Sequence, residues 1–376
     1  MIEIKRLQSI EKALAPKRAL LIFGPRRIGK TTMLDAYLKT QAGRSIGSFI
    51  GDDIYVREVF SSQNRARILA LISAYDVVAI DEAQLIPNVG LAAKMIVDAH
   101  PEKLLILTGS SSFELFGQVG EPLTGRHFSM TLLPLAQAEL GLNPYELHGG
   151  RDDFLVYGSY PEVLIADDRE SKKKILRELV SSYLFKDILA LDKVKSPQLA
   201  LDIARALAYQ IGSEVSLSEI AKLVKTDHKT VARYIDVFEK MFILKRVGGF
   251  SRNLRNEITK KAKYYFLDVG VRNAVVENFN PINARDDVGG LWENFVFMEM
   301  YKQSVIQERA GDRFYFWRTH TGKEVDIVKE SGGGLYAYEI KVTKKSSVPK
   351  EWAAAYPDAH FTSITMDNFA ETAPSF

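Results

Sequence analysis

The segment from Gly24 to Thr31 has residue types and a spacing that suit the phosphates of a nucleotide. It reads Gly-Pro-Arg-Arg-Ile-Gly-Lys-Thr and matches the pattern G-x-x-x-x-G-K-[ST]. In this pattern glycines let backbone N–H groups converge on phosphate oxygens, a lysine reaches the outer phosphates, and a hydroxyl binds Mg²⁺. We therefore expect ATP and Mg²⁺ as cofactors and Lys30 as a catalytic residue. The predicted nucleotide-binding residues here are Gly24, Pro25, Arg26, Arg27, Ile28, Gly29, Lys30, Thr31 and Thr32, with Thr31 also on the metal.

Four further polar residues stand where two apolar runs end. Asp81 and Glu82 follow one run of four apolar residues, and Thr108 and Ser110 follow another. An acid at this position is expected to hold the water shell of Mg²⁺, and the next acid is the natural base for an attacking water. We predict Asp81 as a metal residue and Glu82 as a catalytic residue. Thr108 or Ser110 is predicted to contact the outer phosphate, although an ordinary serine-rich turn explains these hydroxyls equally well.

The elements that must position these groups are short strands alternating with helical segments. Residues 18–23, 77–80 and 104–107 are largely apolar, as in a parallel sheet that is buried on both faces. The carboxyl ends of parallel strands meet at one edge, where open α/β sheets bind ligands. The pattern therefore predicts an α/β fold that brings the phosphate loop, Asp81 and Thr108 together. From residue 134 to 191 the spacing is helical instead, including 177–180 and 183–185.

Residues 216–224 and 228–241 have the pattern of two short helices joined by a tight turn. Ser216 and Asp227 stand at the positions of their N-caps. Two helices joined in this way are typical of a helix-turn-helix, and strands predicted at 244–247 and 263–266 would form its wing. The predicted buried face of the second helix consists of Val231, Tyr234, Ile235 and Phe238.

Positive charge is concentrated in this region. Between residues 220 and 264 there are twelve Lys and Arg against four Asp and Glu, whereas the formal net charge of the whole chain is +3. Such a surplus is what neutralisation of DNA phosphates requires. Winged helices also serve as protein–protein modules, so a partner or intersubunit role stays open. The predicted DNA-binding residues are Lys229, Arg233, Lys240, Lys260 and Lys261.

Length and composition set limits on these hypotheses. A chain of 376 residues with 46% hydrophobic and 26% charged content is expected to form two to four globular domains. With no cysteine, it has no disulfide, no thiolate zinc site and no cysteine nucleophile. Neither a signal peptide nor a run of about eighteen apolar residues is present. We expect a cytoplasmic protein with no membrane partner.

The motifs at the first sheet resemble those of AAA-type ATPases whose loop reads G-P-R-x-x-G-K-T-T, followed by D-E-A/I-Q and T-G-S-S. The resemblance continues through Leu-Thr-Gly-Arg at 123–126, Leu-Leu-Pro-Leu at 132–135 and Gly-Ser-Tyr-Pro-Glu at 158–162. It spans nearly the whole chain, including a C-terminal region of unknown function in that family. The resemblance implies a homo-oligomeric ATPase in which Arg126 reaches a γ-phosphate, its own or a neighbour's. An arginine after Thr-Gly is equally compatible with a surface residue.

Two strands are predicted near the C-terminus, at 322–328 and 336–342. The first carries Asp326, and the second places Glu339 and Lys341 on one face. This arrangement resembles the PD-(D/E)xK nucleases and their restriction-endonuclease-like fold, although Val325 stands where that family often has proline. The resemblance implies that Asp326, Glu339 and Glu293 bind Mg²⁺ and that Lys341 orients or deprotonates water. Ordinary alternation of Glu and Lys in a hairpin is the alternative, and many nuclease-like domains only bind.

The predicted organisation has four parts. They are an AAA-type ATPase domain at 1–133, a helical extension at 134–196, a winged helix-turn-helix at 197–277 and a nuclease-like α/β domain at 278–376. The predicted function is ATP hydrolysis coupled to DNA engagement, with Mg²⁺-dependent DNA cleavage as a further activity to test. The alternative is a nucleotide-dependent switch or scaffold that binds proteins and contains a non-cleaving nuclease-like domain.

Overall fold

The computed structural model describes residues 4, 6–110, 123–181, 196–251 and 261–373. The chain divides into two compact units. The N-terminal unit comprises Arg6–Leu133 with Lys240–Phe242, and the C-terminal unit comprises Pro134–Glu239 and Ile243–Phe376 with Met1–Lys5. Among the helices of the described residues, none is long and apolar enough to cross a membrane.

The N-terminal unit contains a parallel β-sheet. Its strands are β1 Ala19–Phe23, β2 Ile46–Ile50, β3 Val77–Asp81, β4 Leu104–Gly109 and β5 His127–Thr131. The spatial order is β2-β3-β4-β1-β5, with every neighbouring pair parallel. The strands predicted at 18–23, 77–80 and 104–107 are confirmed, and β1, β3 and β4 are almost wholly buried. The carboxyl ends of these three neighbouring strands therefore share one edge.

Helices cover this sheet and supply the apolar partners of its side chains. Asp53 and Asn64 cap two of them by accepting hydrogen bonds from backbone N–H groups of the first turn, as N-cap residues do. Phe60 and Ile68 from the helices belong to the same buried cluster as the residues of the strands. The helices are α1 Ile10–Ala13, α2 Lys30–Thr40, α3 Ile54–Ser61, α4 Arg65–Ile72 and α5 Val89–Ala99.

The C-terminal unit begins with a series of helices. They are α6 Pro144–Tyr157, α7 Pro161–Ile165, α8 Arg169–Ser181, α9 Pro197–Tyr209, α10 Leu217–Leu223, α11 His228–Lys240, α12 Val269–Val275, α13 Val288–Ile306, α14 Lys350–Ala355 and α15 Phe369–Thr372. The predicted pair of short helices at 216–224 and 228–241 is confirmed as α10 and α11. Asp227 accepts a hydrogen bond from the Thr230 N–H at 2.9 Å, and the four predicted core residues of α11 are at most 3% exposed. The helical prediction at 183–185 lies outside the described residues.

A mixed sheet completes the C-terminal unit. Its strands are β6 Leu244–Gly249, β7 Lys263–Phe266, β8 Arg313–Arg318, β9 Glu324–Ser331, β10 Gly334–Ile340 and β11 His360–Ile364. Their order is β11-β10-β9-β8-β6-β7, because β6 pairs with β7 on one side and with β8 on the other. The two strands predicted as a separate wing thus extend the sheet that carries Asp326 and Glu339. The sheet therefore contains strands from both sides of the domain boundary predicted at 277/278. Pairing with β8 satisfies backbone N–H and C=O groups of β6 that would lack hydrogen-bond partners at the edge of a separate wing.

A buried ion pair on α13 holds two segments of the C-terminal unit. Lys302, 4% exposed, donates hydrogen bonds to Glu299 Oε1 at 2.8 Å, to Ser159 Oγ at 2.9 Å and to the Leu135 carbonyl at 3.0 Å. The other carboxylate oxygen of Glu299 accepts the Gln137 N–H at 2.8 Å. Because the pair also satisfies backbone groups, loss of either charge leaves several buried polar atoms without partners.

Candidate functional site

The predicted phosphate loop joins the end of β1 to the start of α2. Gly24 has φ +152°, and a Cβ there would lie 2.2 Å from the Leu132 carbonyl oxygen, so this position excludes any other residue. Gly29 has φ +91° and caps α2. The N-terminus of α2 opens directly from the loop, and helix N-termini favour anions through their free N–H groups and dipole.

The side chain of Lys30 lies inside this loop. It is 4% exposed and donates hydrogen bonds to the carbonyls of Gly24 at 2.9 Å and Pro25 at 2.8 Å. Burial lowers the pKa of Lys30 to about 8, although the charges of Glu82 and Asp81 act in the opposite direction. The hydrogen bonds to the loop carbonyls therefore hold an ammonium group that is largely removed from water, and this desolvation disfavours its charged form.

The other residues of the predicted phosphate loop differ in their exposure to solvent. Arg26 and Arg27 are exposed, as are Thr31 and Thr32, whereas Ile28 is fully buried. The carbonyl of Ile28 accepts a hydrogen bond from the guanidinium of Arg6 at 2.6 Å. Arg6, for which the sequence patterns assigned no role, also donates to the Leu133 carbonyl at 2.9 Å.

Three predicted residues meet at the carboxyl edge of the sheet. Thr31 Oγ1 donates to Asp81 Oδ2 at 2.8 Å, and Thr108 Oγ1 donates to Asp81 Oδ1. The Glu82 N–H bonds Asp81 Oδ1 at 3.1 Å and Thr108 Oγ1 at 3.2 Å. A hydroxyl beside a carboxylate, next to a phosphate loop, is a donor set that fits Mg²⁺.

Gln84 is a residue of this edge whose role the sequence patterns did not reveal. Its Nε2 donates to the carboxylate of Glu82 and to Ser110 Oγ, the latter at 3.1 Å. Gln84 is 6% exposed, and Glu82 has a left-handed backbone with φ +50°. The backbone turn and the Gln84 amide together orient the Glu82 carboxylate. Its place two residues after Glu82 in Asp-Glu-Ala-Gln was the available signal.

Arg126 lies at the amino ends of the strands, opposite the carboxyl edge where the phosphate loop begins. It directly precedes β5, and its carbonyl accepts the N–H of Ala19, the first residue of β1. The phosphate loop follows the last residue of β1, next to Leu132. At about 3.3 Å per residue, the six residues from Arg126 to Leu132 span about 20 Å. The guanidinium pairs with Asp98 at 2.6 Å, so Arg126 does not reach the phosphate loop of its own chain.

The basic residues predicted to bind DNA are placed differently from one another. Lys229 and Arg233 are exposed one turn apart on α11, and Lys261 is exposed before β7. Lys240 is half-buried at the end of α11. Lys260 lies outside the described residues, together with Arg252 and Arg255 of the predicted wing loop.

Asp326, Glu339 and Lys341 are brought together in the C-terminal unit. Lys341 Nζ lies 2.7 Å from Glu339 Oε1 and 3.5 Å from Asp326 Oδ2. Asp326 Oδ2 also accepts the Ile340 N–H at 2.7 Å, and Glu339 Oε2 is buried without a hydrogen-bond partner among the described residues. Burial, together with the charge of Asp326, raises the pKa of Glu339. Burial opposes the charge of Lys341, but the two carboxylates raise its pKa overall.

Glu293 does not join these residues as the predicted third metal ligand. Its Oε1 accepts hydrogen bonds from Lys263 Nζ at 2.9 Å and from the Tyr265 hydroxyl at 2.6 Å. Among the described residues no three acids or histidines are close enough to hold a metal ion. Lys263, counted in the basic surplus, is 1% exposed and therefore does not belong to the basic surface. Its strand was predicted correctly, but the sheet buries it against α13.

Three family models match successive parts of the chain. Residues 16–141 match a family described as an AAA domain, and this range includes the phosphate loop, the Asp81 edge and Arg126. Residues 150–282 and 288–365 each match a domain of unknown function. The first match supports an AAA-type, nucleotide-binding ATPase domain in the N-terminal unit.

Similar proteins are known from bacteria and archaea. An uncharacterised protein of Mycobacterium tuberculosis is 25% identical over 364 residues, which cover 95% of this chain and 78% of that protein. An uncharacterised protein of Methanocaldococcus jannaschii is 23% identical over 380 residues, covering 96% and 83%. Among solved structures, the Bacillus subtilis DNA clamp loader delta protein is 11% identical, with 77% of this chain and 96% of that chain covered and a TM-score of 0.24. That score is too low to establish a shared overall fold.

Proposed function

We propose that this protein hydrolyses ATP at the edge of the N-terminal sheet and uses the ATPase cycle to engage DNA. The observation that carries the ATPase proposal is the contact between Thr31 and Asp81 at 2.8 Å, made directly beside the buried Lys30. A hydroxyl and a carboxylate in contact, next to a buried ammonium group, support the binding of a nucleotide's phosphates and Mg²⁺ at this edge.

Each residue of the edge has a distinct proposed role. Thr31 and Asp81 would hold Mg²⁺, which supplies charge to the outer phosphates when bound. Glu82 takes the proton of the attacking water, and Gln84 positions the Glu82 carboxylate through the hydrogen bond of its amide. Thr108, already bonded to Asp81, and Ser110 offer hydroxyls to the outer phosphate.

The experiment for this part compares two lysines of α2. Lys30→Ala removes the ammonium from the loop, whereas Lys39→Ala removes an exposed one from the far end of the same helix. We expect loss of ATP binding and turnover in the first variant and wild-type turnover in the second. Equal turnover in both variants would remove the phosphate loop from the mechanism.

Arg126 is proposed to act on the nucleotide of a neighbouring copy. Arg126 lies at the opposite edge of the sheet, about 20 Å from its own phosphate loop along β5. A catalytic role for Arg126 therefore requires the nucleotide of another copy. The proposal therefore includes a homo-oligomer in which one protomer offers Arg126 to the next. The ion pair with Asp98 holds the side chain at the surface and must open for that contact.

DNA engagement is assigned to the exposed basic face of α10 and α11. Lys222, Lys225, Lys229 and Arg233 are exposed there and form no ion pair with any other described residue. Unpaired basic side chains lose less when they exchange water and counterions for phosphate contacts. Sequence-specific reading of bases is not proposed, because phosphate contacts explain this face without it.

A matched pair of double variants tests the DNA proposal. Lys229→Glu with Arg233→Glu reverses two charges on α11, and Arg169→Glu with Lys174→Glu reverses two exposed charges on α8. We expect the first to weaken binding to every DNA sequence and to lower the slope of log affinity against log salt by up to about 2. The second should bind as the wild type does. Equal losses in both variants would assign the effect to net charge alone.

A protein-binding switch is the second candidate, and one observation favours it. Leu223 is 68% exposed at the end of α10, within the basic face, and exposed apolar side chains are more useful to a protein partner than to phosphates. Leu223→Ser should leave DNA affinity unchanged under the first proposal. A wild-type protein with no salt-dependent DNA affinity would favour the second candidate.

DNA cleavage is kept as a separate hypothesis for Asp326, Glu339 and Lys341. It predicts Mg²⁺- or Mn²⁺-dependent nicking of duplex, single-stranded or branched DNA that is lost in Lys341→Ala, with DNA affinity retained. Absence of cleavage by the wild type under all of these conditions would leave the C-terminal unit with binding alone and would not affect the ATPase proposal.

A further inference from the structure

The acidic side chains of the C-terminal unit are joined by two lysines of very different accessibility. Lys263, on β7, contacts Glu293 of α13 at 2.9 Å and Glu324 of β9 at 2.6 Å. Lys341, just beyond β10, bridges Asp326 and Glu339. Each ammonium thus lies between two carboxylates, in the role that a bound cation would take.

The two lysines differ in whether their side chains can move away from the carboxylates into solvent. The side chain of Lys341 is 42% exposed, so it can turn out to water at little cost. The side chain of Lys263 is 1% exposed, and moving it would strand Glu293 in the interior. Burial by itself disfavours a charged lysine, but Glu293, Glu324 and Asp326 raise the pKa of Lys263 above its usual value, so it stays charged.

The surroundings of Glu293, which is 9% exposed, are largely occupied by other residues of the C-terminal unit. A Cβ at Gly212, a residue with φ +75°, would lie 3.1 Å from Glu293 Oε2 and 3.2 Å from the Gly290 Cα. The other carboxylate oxygen already accepts hydrogen bonds from Lys263 and Tyr265. Mg²⁺ requires about six oxygen ligands at about 2.1 Å, several of them water, and coordination by this oxygen would displace the two donors that it already accepts from.

We propose that Lys263 is a built-in cation that takes the place of a divalent metal ion on the Glu293 side of this acid cluster. The three-carboxylate metal site implied by the resemblance to nucleases therefore does not fit this chain. Glu293 serves to hold β7 against α13, and Glu324 holds the same strand against β9 through Lys263. A divalent ion has access at most to Asp326 and Glu339, where it would have to displace Lys341.

The proposal predicts that removing one charge creates a metal requirement. Lys263→Met keeps the length and apolar stem of the side chain but leaves Glu293 and Glu324 without their cation. In EDTA this variant should unfold about 5 °C or more below the wild type, and Mn²⁺ or Ca²⁺ should restore a large part of the difference. The wild type, which already contains its cation at this position, should gain much less from either ion than Lys263→Met does.

Lys329→Met is the matched control. Lys329 is another buried lysine of the same sheet, with a side chain 3% exposed, and it pairs with the single carboxylate of Asp312 at 2.9 Å. Its loss should also lower the unfolding temperature, but one carboxylate is a poor metal site and the ions should not restore it. A folded Lys263→Met protein that responds to the ions no more than Lys329→Met does would overturn the proposal.

A second measurement avoids any dependence on the folding of Lys263→Met. Mn²⁺ binding is titrated on nucleotide-free full-length protein carrying Asp81→Asn, which removes the candidate metal residue of the N-terminal unit. Adding Asp326→Asn should weaken any Mn²⁺ binding at least tenfold, and adding Glu293→Gln should change it less than twofold. Absence of Mn²⁺ binding in the parent agrees with the proposal, whereas equal weakening by both substitutions refutes it. Neither ATP nor DNA enters these experiments, so their outcome is independent of the proposed function.

Discussion

The pH dependence of ATP binding is predicted from the burial of Lys30. Burial lowers the pKa of this lysine from 10.5 to about 8, a difference that corresponds to about 3 kcal/mol against the charged form in the empty loop. In a lysine with a lowered pKa, this cost to stability is fully present below pH 8 and is relieved as pH rises from 8 towards 10.5. The empty loop therefore becomes more stable over that range.

Nucleotide binding should change in the opposite direction. Phosphate oxygens favour the charged ammonium, so a bound nucleotide is expected to return the pKa of Lys30 towards 10.5 and binding should take up a proton above pH 8. With these two pKa values, affinity for ATP falls about tenfold between pH 7 and pH 9. The stoichiometry of proton uptake at pH 9 should approach about 0.9.

Calorimetry in two buffers of different ionisation enthalpy measures both quantities on the wild type. Lys30→Met provides the control, because it should bind ATP weakly and without this pH dependence. An affinity that is constant between pH 7 and pH 9 would show that Lys30 stays charged in the empty loop. If the ATP affinity of Lys30→Met fell by the same factor between pH 7 and pH 9, the titrating group would not be Lys30.

Three further predictions concern catalysis and stability. Glu82→Gln should bind ATP as tightly as the wild type and lose hydrolysis, because the carboxylate acts on water only in the transition state; nucleotide binding and phosphate release measure the two effects. An Arg126→Ala subunit mixed with a Lys30→Ala subunit should regain ATPase activity, and failure in a demonstrated mixed assembly would refute action in trans. Lys302→Met should lower stability by about 3–5 kcal/mol in denaturant unfolding, and Lys302→Met with Glu299→Gln should lose less, because no buried charge is left unpaired.

Local patterns predicted the elements that depend on residues close in sequence. The spacing of Gly24, Gly29 and Lys30 predicts a phosphate loop, because loop geometry and helix start are set within eight residues. The apolar runs predicted β1, β3 and β4, and capping by Asp227 predicted the start of α11. In each case the stabilising contacts join residues that are close in sequence. The residue types and their spacing are therefore sufficient to predict the element.

Contacts between distant segments could not be read in this way. The sequence marked Glu82 as a candidate base but did not indicate that Gln84 would hold its carboxylate, which depends on a left-handed turn and on the burial of Gln84. It left open whether Arg126 acts on its own nucleotide. Only the parallel pairing of β5 with β1 places that residue at the far edge of the sheet.

Lys263 and Glu293 show this division most directly. The sequence by itself determined the residue types and the strand at 263–266. It could not determine that this lysine, one of twelve basic residues in its region, would be buried between carboxylates of α13 and β9. Burial and charge pairing arise where segments 30 and 61 residues apart in the chain pack together, and the free energy of a charge depends on those neighbours and on the exclusion of water. The tertiary structure therefore decided which basic residues of this region face solvent and which one is buried between two carboxylates.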